Sequence, residues 1–405
     1  MKKRNRGLIL TAAAFVAAIT GGQYIWSIFK IPLMELNGWS SNAVTLTYSL
    51  FLLFVLVGTA CYGPLSKRLK PKYLTLMAGT FQGMGFFLTG FSHSIVQLYL
   101  FYSFLGGLGN GMMYNAAVST ATKWFPDKKG MANGICIGCL GLSPVFFSPG
   151  GTALIGKLGI LPALRILGLI MVGVIWIVSW FIEAPEEGYK PEGWEPKAGS
   201  INAGPSVDYS PSQVIKMPLF WCAFVMTIME CSAGLMMTSQ ASAIAQQMIH
   251  ITAEQASLQV AVLAVGNFIG RFLFGTVSDK LGRLNTQLIL MAMTAVDMLF
   301  FFGKASNFVS FMIVLLIVGI GFGGIMTTLP ALTSDLFGQK YFTNNYALLF
   351  AGYTAASFVG PMIASNIFQS TGSYNRAFWI AGVIAAVGIV LILLTKAVYK
   401  KQIAK

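Results

Sequence analysis

Arg271 stands in Gly266-Asn-Phe-Ile-Gly270-Arg271-Phe-Leu-Phe-Gly275, a ten-residue stretch that holds no other charge. A guanidinium stays protonated at every relevant pH, and its fork of N–H donors fits a carboxylate bidentately. At the centre of a lipid-embedded helix such a group costs about 2.5–3.5 kcal/mol on insertion scales, so it should face a cavity or a partner. The competing readings are a structural ion pair, or snorkelling to the membrane surface as Lys280 and Arg283 would do. Two carboxylates, Glu230 and Asp297, also lie deep in apolar runs, where acids serve function by default. Either can carry a proton. His250 can do the same near neutral pH, although a plain loop histidine accounts for it better.

Other chemistries fail on spacing. The two histidines, His93 and His250, stand 157 residues apart, and no His, Cys and carboxylate cluster surrounds them. A membrane enzyme needs such a cluster, or a nucleophile with its base. Cys136 and Cys139 form a C-x-x-C, but thiols in an apolar span without nearby His or acids read as packing residues. Gly106-Gly-Leu-Gly109-Asn-Gly111 has the look of a phosphate loop. Inside a membrane helix its glycines serve close packing instead. No metal and no cofactor are expected.

The elements that must position these residues are set by composition. Of 405 residues, 56% are hydrophobic and 10% are charged, against roughly 25% charged in soluble domains. Too few polar side chains exist to cover a globular surface, so the chain is solvated by lipid. Twelve apolar runs of about 20 residues can each span the hydrocarbon core, beginning with 8–28 and ending with 376–398. The first run is longer than a signal-peptide core and reads as an uncleaved helix.

The net charge of +14 follows topology. Twenty-one cations fall in one set of connections: the N-terminus with Lys2, Lys3, Arg4 and Arg6, the loops at 67–72, 123–129, 190–216, 280–283 and 340, and the C-terminus. The alternate set holds five: Lys30, Lys157, Arg165, Lys304 and Arg376. This bias puts both termini in the cytoplasm of a multi-pass protein of the cell membrane, with the lipid bilayer as partner. It removes the case for nucleic acid.

A polar stretch rich in Glu, Pro, Gly and Ser separates two halves that repeat. The division predicted is 1–183 as one six-helix bundle, 184–216 as a cytoplasmic linker and 217–405 as a second bundle. Gly63-Pro-Leu-Ser-Lys-Arg-Leu-Lys70 returns 212 residues later as Gly275-Thr-Val-Ser-Asp279-Lys280-Leu-Gly282-Arg283, and Pro149 returns as Pro361. Repeats of the same topology imply paired bundles related by an axis along the membrane normal, able to rock around a central site. The fold class is therefore all-α, an integral membrane protein of twelve transmembrane helices in two pseudo-symmetric halves.

The Gly275–Arg283 loop, with its degenerate partner at Gly63, resembles the signature loop of the major facilitator superfamily. Trp124-Phe-Pro-Asp-Lys-Lys-Gly-Met-Ala-Asn-Gly134, Gln23-Tyr24 and Thr333-Ser-Asp-Leu-Phe-Gly338 are similar to the oxalate:formate antiporter branch, relatives of the monocarboxylate porters. The resemblance implies a secondary carrier for a small carboxylate, and it places the substrate-binding arginine at Arg271. It also implies that Gln23, Tyr24, Tyr114, Leu140, Phe322, Met326 and Tyr353 line the site, ordinary helix packing being the alternative for each.

Oxalate carriers of this family use a lysine in the eleventh span, and the matching residue here is Tyr353. One fixed cation then balances one negative charge, which favours a monocarboxylate such as lactate, pyruvate or formate over a dianion. Exchange of oxalate for formate is the alternative. An acidic residue one turn before the arginine in eukaryotic relatives is here Asn267, which cannot titrate. Proton coupling then falls to Glu230 first, since the seventh span usually lines the cavity in this superfamily, with His250 and Asp297 behind it. A monomer is expected.

Overall fold

Lipid offers no partner for a free backbone amide, so a chain this apolar must satisfy its backbone within each segment, as a helix does. The computed structural model describes residues 5–186, 189, 191, 208–338 and 340–403, and no strand occurs among them. They divide into two compact units, Met1–Ala198 and Gly199–Lys405. Lys2, Lys3, Arg4, Lys190, Lys197 and most of the expected linker lie outside the described residues.

The first unit holds α1 (Arg6–Asn37), α2 (Ser41–Ser66), α3 (Pro71–Thr89), α4 (95–124), α5 (Lys129–Leu158) and α6 (Ile160–Ser179). The second holds α7 (Pro218–Met248), α8 (Ala253–Leu281), α9 (Arg283–Lys304), α10 (Phe308–Phe337), α11 (Phe342–Thr371) and α12 (Asn375–Ile403). Among the described residues ten helices are long and apolar enough to cross a membrane by themselves. The other two expected spans, α3 and α4, are helical as well. A π-helical stretch, Tyr99–Gly106, interrupts α4, and α3 buries the polar Thr75, Gln82 and Thr89.

One sequence expectation is corrected here. The first helix runs through Pro32 to Asn37 instead of ending near 28, so Lys30 is no loop cation. It is buried within α1, at 1% exposure.

Glycines decide how closely the helices approach. In the first unit a methyl group at Gly58 would overlap the carbonyl of Leu108; Gly107 and Gly111 meet the carbonyls of Phe51 and Val55 in the same way. In the second unit Gly270 meets Ile320, Gly319 meets Leu263, and Gly323 meets Asn267. Every member of the α2–α4 seam thus has its counterpart in the α8–α10 seam, 212 residues on. Small residues permit such backbone contact where lipid gives no hydrophobic drive to associate.

The first helix is not continuous. After Thr20 it tightens into a 3-10 stretch, Gly21–Ile25, and neighbouring amides take up carbonyls at the junction. Gln82 of α3 donates to the Ile19 carbonyl at 3.1 Å, and Asn110 of α4 donates to the Thr20 carbonyl at 2.7 Å. A side chain at Gly21 would strike Ser143 and the Leu140 carbonyl of α5, which accounts for glycine at this position.

Candidate substrate site

In the second unit the α8–α10 seam fixes Asn267, whose backbone is pressed against Gly319 and Gly323. One turn further along α8, Arg271 donates from Nε to Asn267 Oδ1 at 2.6 Å. No carboxylate lies within ion-pairing distance of Arg271 among the described residues. Its guanidinium is thus oriented by a neutral acceptor, with the donors on Nη1 and Nη2 left for something else. A structural ion pair would have used them. Sequence reasoning treated Asn267 only as a group that cannot titrate; its hydrogen bond to Arg271 follows from i,i+4 spacing, a signal present but not read.

Phe322 and Tyr353 are brought together, their rings nearly parallel with centroids 6.3 Å apart, and Phe350 stacks on Tyr353 at 4.8 Å. Gly234 of α7 leaves the space that the Phe322 ring fills. Met326 lies one turn beyond Phe322 on α10 and is half-buried.

Glu230 is 1% exposed, and neither of its carboxylate oxygens has a hydrogen-bond partner among the described residues. It stands on α7 between two contacts with α11, where Thr227 packs on Gly352 and the Ser232 carbonyl on Gly360. Asp297 is equally buried and equally unpartnered, at the start of a π-helical turn in α9, Asp297–Phe301. His250 is exposed in the turn after α7 and adopts a left-handed backbone, φ 53°.

In the first unit the sequence candidates gather at the break in α1. Gln23 and Tyr24 lie within the 3-10 stretch, Leu140 belongs to the α5 turn that packs on Gly21, and Tyr114 follows Asn110 by one turn of α4. The Gln23 side-chain carbonyl is buried with no hydrogen-bond partner among the described residues. The Gln82 and Asn110 amides that hold this arrangement were missed in the sequence, although Gly21-Gly22 inside an apolar helix marks the break.

The signature loop closes on itself in the second unit. Arg283 pairs with Asp279 at 2.5 Å, with Asp335 of α10 at 3.8 Å, and hydrogen-bonds Ser278. Gly282 turns the chain at φ 83°, a conformation that other residues adopt at a penalty. Gly275 sits against Thr327, while Gly63 in the first unit meets open space and Lys280 projects freely.

The Major Facilitator Superfamily model matches residues 11–239 and 226–405. Over 356 residues the chain is 29% identical to an uncharacterised MFS-type transporter, YhjX, of Escherichia coli K12, covering 88% of this chain and 86% of that protein. Over 385 residues it is 26% identical to the oxalate:formate antiporter of Oxalobacter formigenes, covering 95% and 89%. The crystal structure of a bacterial homologue of the human lysosomal transporter Spinster shares the fold, with a TM-score of 0.70 at 15% identity over 98% of this chain and 97% of that one. A chain matched along nearly its whole length, all-helical and doubled at a 212-residue interval, is a multi-pass membrane protein and belongs to the Major Facilitator Superfamily of transporters.

Proposed function

We propose that the chain is a secondary active transporter of a small monocarboxylate, of the lactate, pyruvate or formate type, working by alternating access and coupled to protons. The observation that carries this reading is Arg271, a lipid-depth cation oriented by Asn267 and left without a carboxylate among the described residues. The similarity to an oxalate:formate antiporter supports an organic anion as cargo. With an apolar Phe322 and an uncharged Tyr353 in the same unit, one cation meets one negative charge; a dianion would leave about one charge unpaired at a penalty of several kcal/mol.

Moving an anion against an inside-negative potential requires about 2.3 kcal/mol per 100 mV, which a co-transported proton offsets. Glu230 is the group to hold that proton, since it is a buried acid inside a span with no hydrogen-bond partner among the described residues. Asp297 and His250 rank behind it, and Asn267, a neutral amide at the position of an acid in relatives, takes no proton. The bias of Lys and Arg between alternate loops puts both termini in the cytoplasm.

The test is uptake of labelled lactate, pyruvate and formate into proteoliposomes under an imposed pH gradient. Wild type should accumulate at least one of them, and Arg271→Ala should not. Glu230→Gln should retain exchange of internal for external anion while losing response to the gradient. If unlabelled oxalate competes as well as the monocarboxylates, and the pH gradient is without effect, the alternative of an oxalate–formate exchanger replaces this reading.

A further inference from the structure

The loop between α2 and α3 lacks the acid of its counterpart. In the second unit Asp279 and Asp335 flank Arg283 and satisfy it. At the same 212-residue interval the first unit has Lys67 in place of Asp279, and Lys123 in place of Asp335. These two lysines occupy one end of the bundle: Asn115 of α4 donates to Thr59 of α2 at 3.2 Å, and Lys123 and Lys67 each follow that contact by eight residues, about two turns. Arg68, Lys70 and Lys72 continue the cluster. Lys67, Arg68, Lys70 and Lys123 are exposed, and none meets a carboxylate within 4.0 Å among the described residues. Asp127, the acid closest to Lys123 in the sequence, is occupied by Arg6 at 3.1 Å.

Beside this cluster lies an exposed aromatic face. Lys72 Nζ sits 2.9 Å from the centre of the Trp180 ring, and Trp180, Trp176 and Tyr73 are 67%, 53% and 54% exposed. Tryptophan and tyrosine favour the level of lipid headgroups, and clustered Lys/Arg next to a span attract anionic lipid. In the first unit Pro71 stands in place of Arg283, and the neighbouring cations are gathered without a paired acid among the described residues.

We propose that this end of the first unit binds the phosphate of an anionic phospholipid, with Lys67, Arg68, Lys70 and Lys123 around the headgroup and Trp176 and Trp180 beside the upper acyl chain. The proposal is independent of the cargo: it concerns the opposite unit from Arg271 and needs no carboxylate.

The test is native mass spectrometry of the purified full-length chain equilibrated with equal amounts of phosphatidylglycerol and phosphatidylcholine. Wild type should retain phosphatidylglycerol preferentially, and the preference should fall about fivefold for each charge removed. K67A/R68A/K70A/K123A should therefore bind both lipids alike. K67D/K123D, which copies the acids of the second unit, should do the same with its circular dichroism unchanged. K157A/K304A, which removes exposed cations elsewhere, should behave as wild type. Equal retention of both lipids by wild type overturns the proposal whether or not any variant folds. A preference that survives in K67A/R68A/K70A/K123A, or that is lost equally in K157A/K304A, overturns it too.

Discussion

The α2–α4 seam and the α8–α10 seam are built on the same three glycines, 212 residues apart, yet they hold different side chains in the same places. Where the second unit has Asn267 and Arg271, the first has Val55 and Thr59. Thr59 is no charge carrier; its hydroxyl accepts from the Asn115 amide at 3.2 Å and the contact ends there. The framework is therefore shared and the chemistry is local. A guanidinium is not something this packing requires, since the sister seam closes without one.

That contrast can be broken in several ways. The largest effect is expected at Arg271: Arg271→Ala should lower transport about 10²- to 10³-fold, whereas Thr59→Ala should leave it within about twofold. Equal losses from the two, measured as initial uptake rates in proteoliposomes, would mean that the seam and not the charge is what matters. Next come the glycines. Gly323→Ala and Gly111→Ala each drive a methyl into the opposing carbonyl, and each should destabilise the protein by about 1–3 kcal/mol, seen as similar drops in apparent melting temperature. A drop in one and not the other would show that the equivalence of the seams is only formal.

Asn267→Ala removes the acceptor that orients Arg271 Nε and should raise the half-saturating substrate concentration about tenfold, because a hydrogen bond to a charged group contributes about 1.5–3 kcal/mol. Asn267→Asp sharpens the point. It supplies a counter-ion four residues away, and should weaken anion binding at neutral pH by pairing with the guanidinium. Smallest is Asn115→Ala, which should shift thermal stability by no more than about 1 kcal/mol and leave transport intact.

Much of this plan was legible in the chain. Apolar runs, the polar interval between halves and the 212-residue echo depend on composition and local order, which a sequence displays directly. Arg271 was conspicuous because a charge in an apolar run needs a partner, a cavity or a route to the membrane surface. What escaped depends on contacts between residues far apart in the chain. The apolar run weakens near residue 28 and so places Lys30 in a loop, while the helix goes on through Pro32 and buries the lysine. Gln82 and Asn110 were invisible as partners of α1, since an amide in an apolar span does not announce which distant carbonyl it will meet. The inverted charges at Lys67 and Lys123 lay in plain view, but their meaning required the paired aspartates of the other unit to be seen closing on Arg283.

The break in α1 has a consequence for motion. A kinked helix usually serves as an elbow because the carbonyls at its bend are free to exchange partners with water. Here the Ile19 and Thr20 oxygens are already engaged by amides of two other helices, so the bend is riveted rather than sprung. Gln23 and Tyr24 cannot then shift alone. Any displacement of the pair drags α3 and α4 along, and the first unit moves near this point as a block.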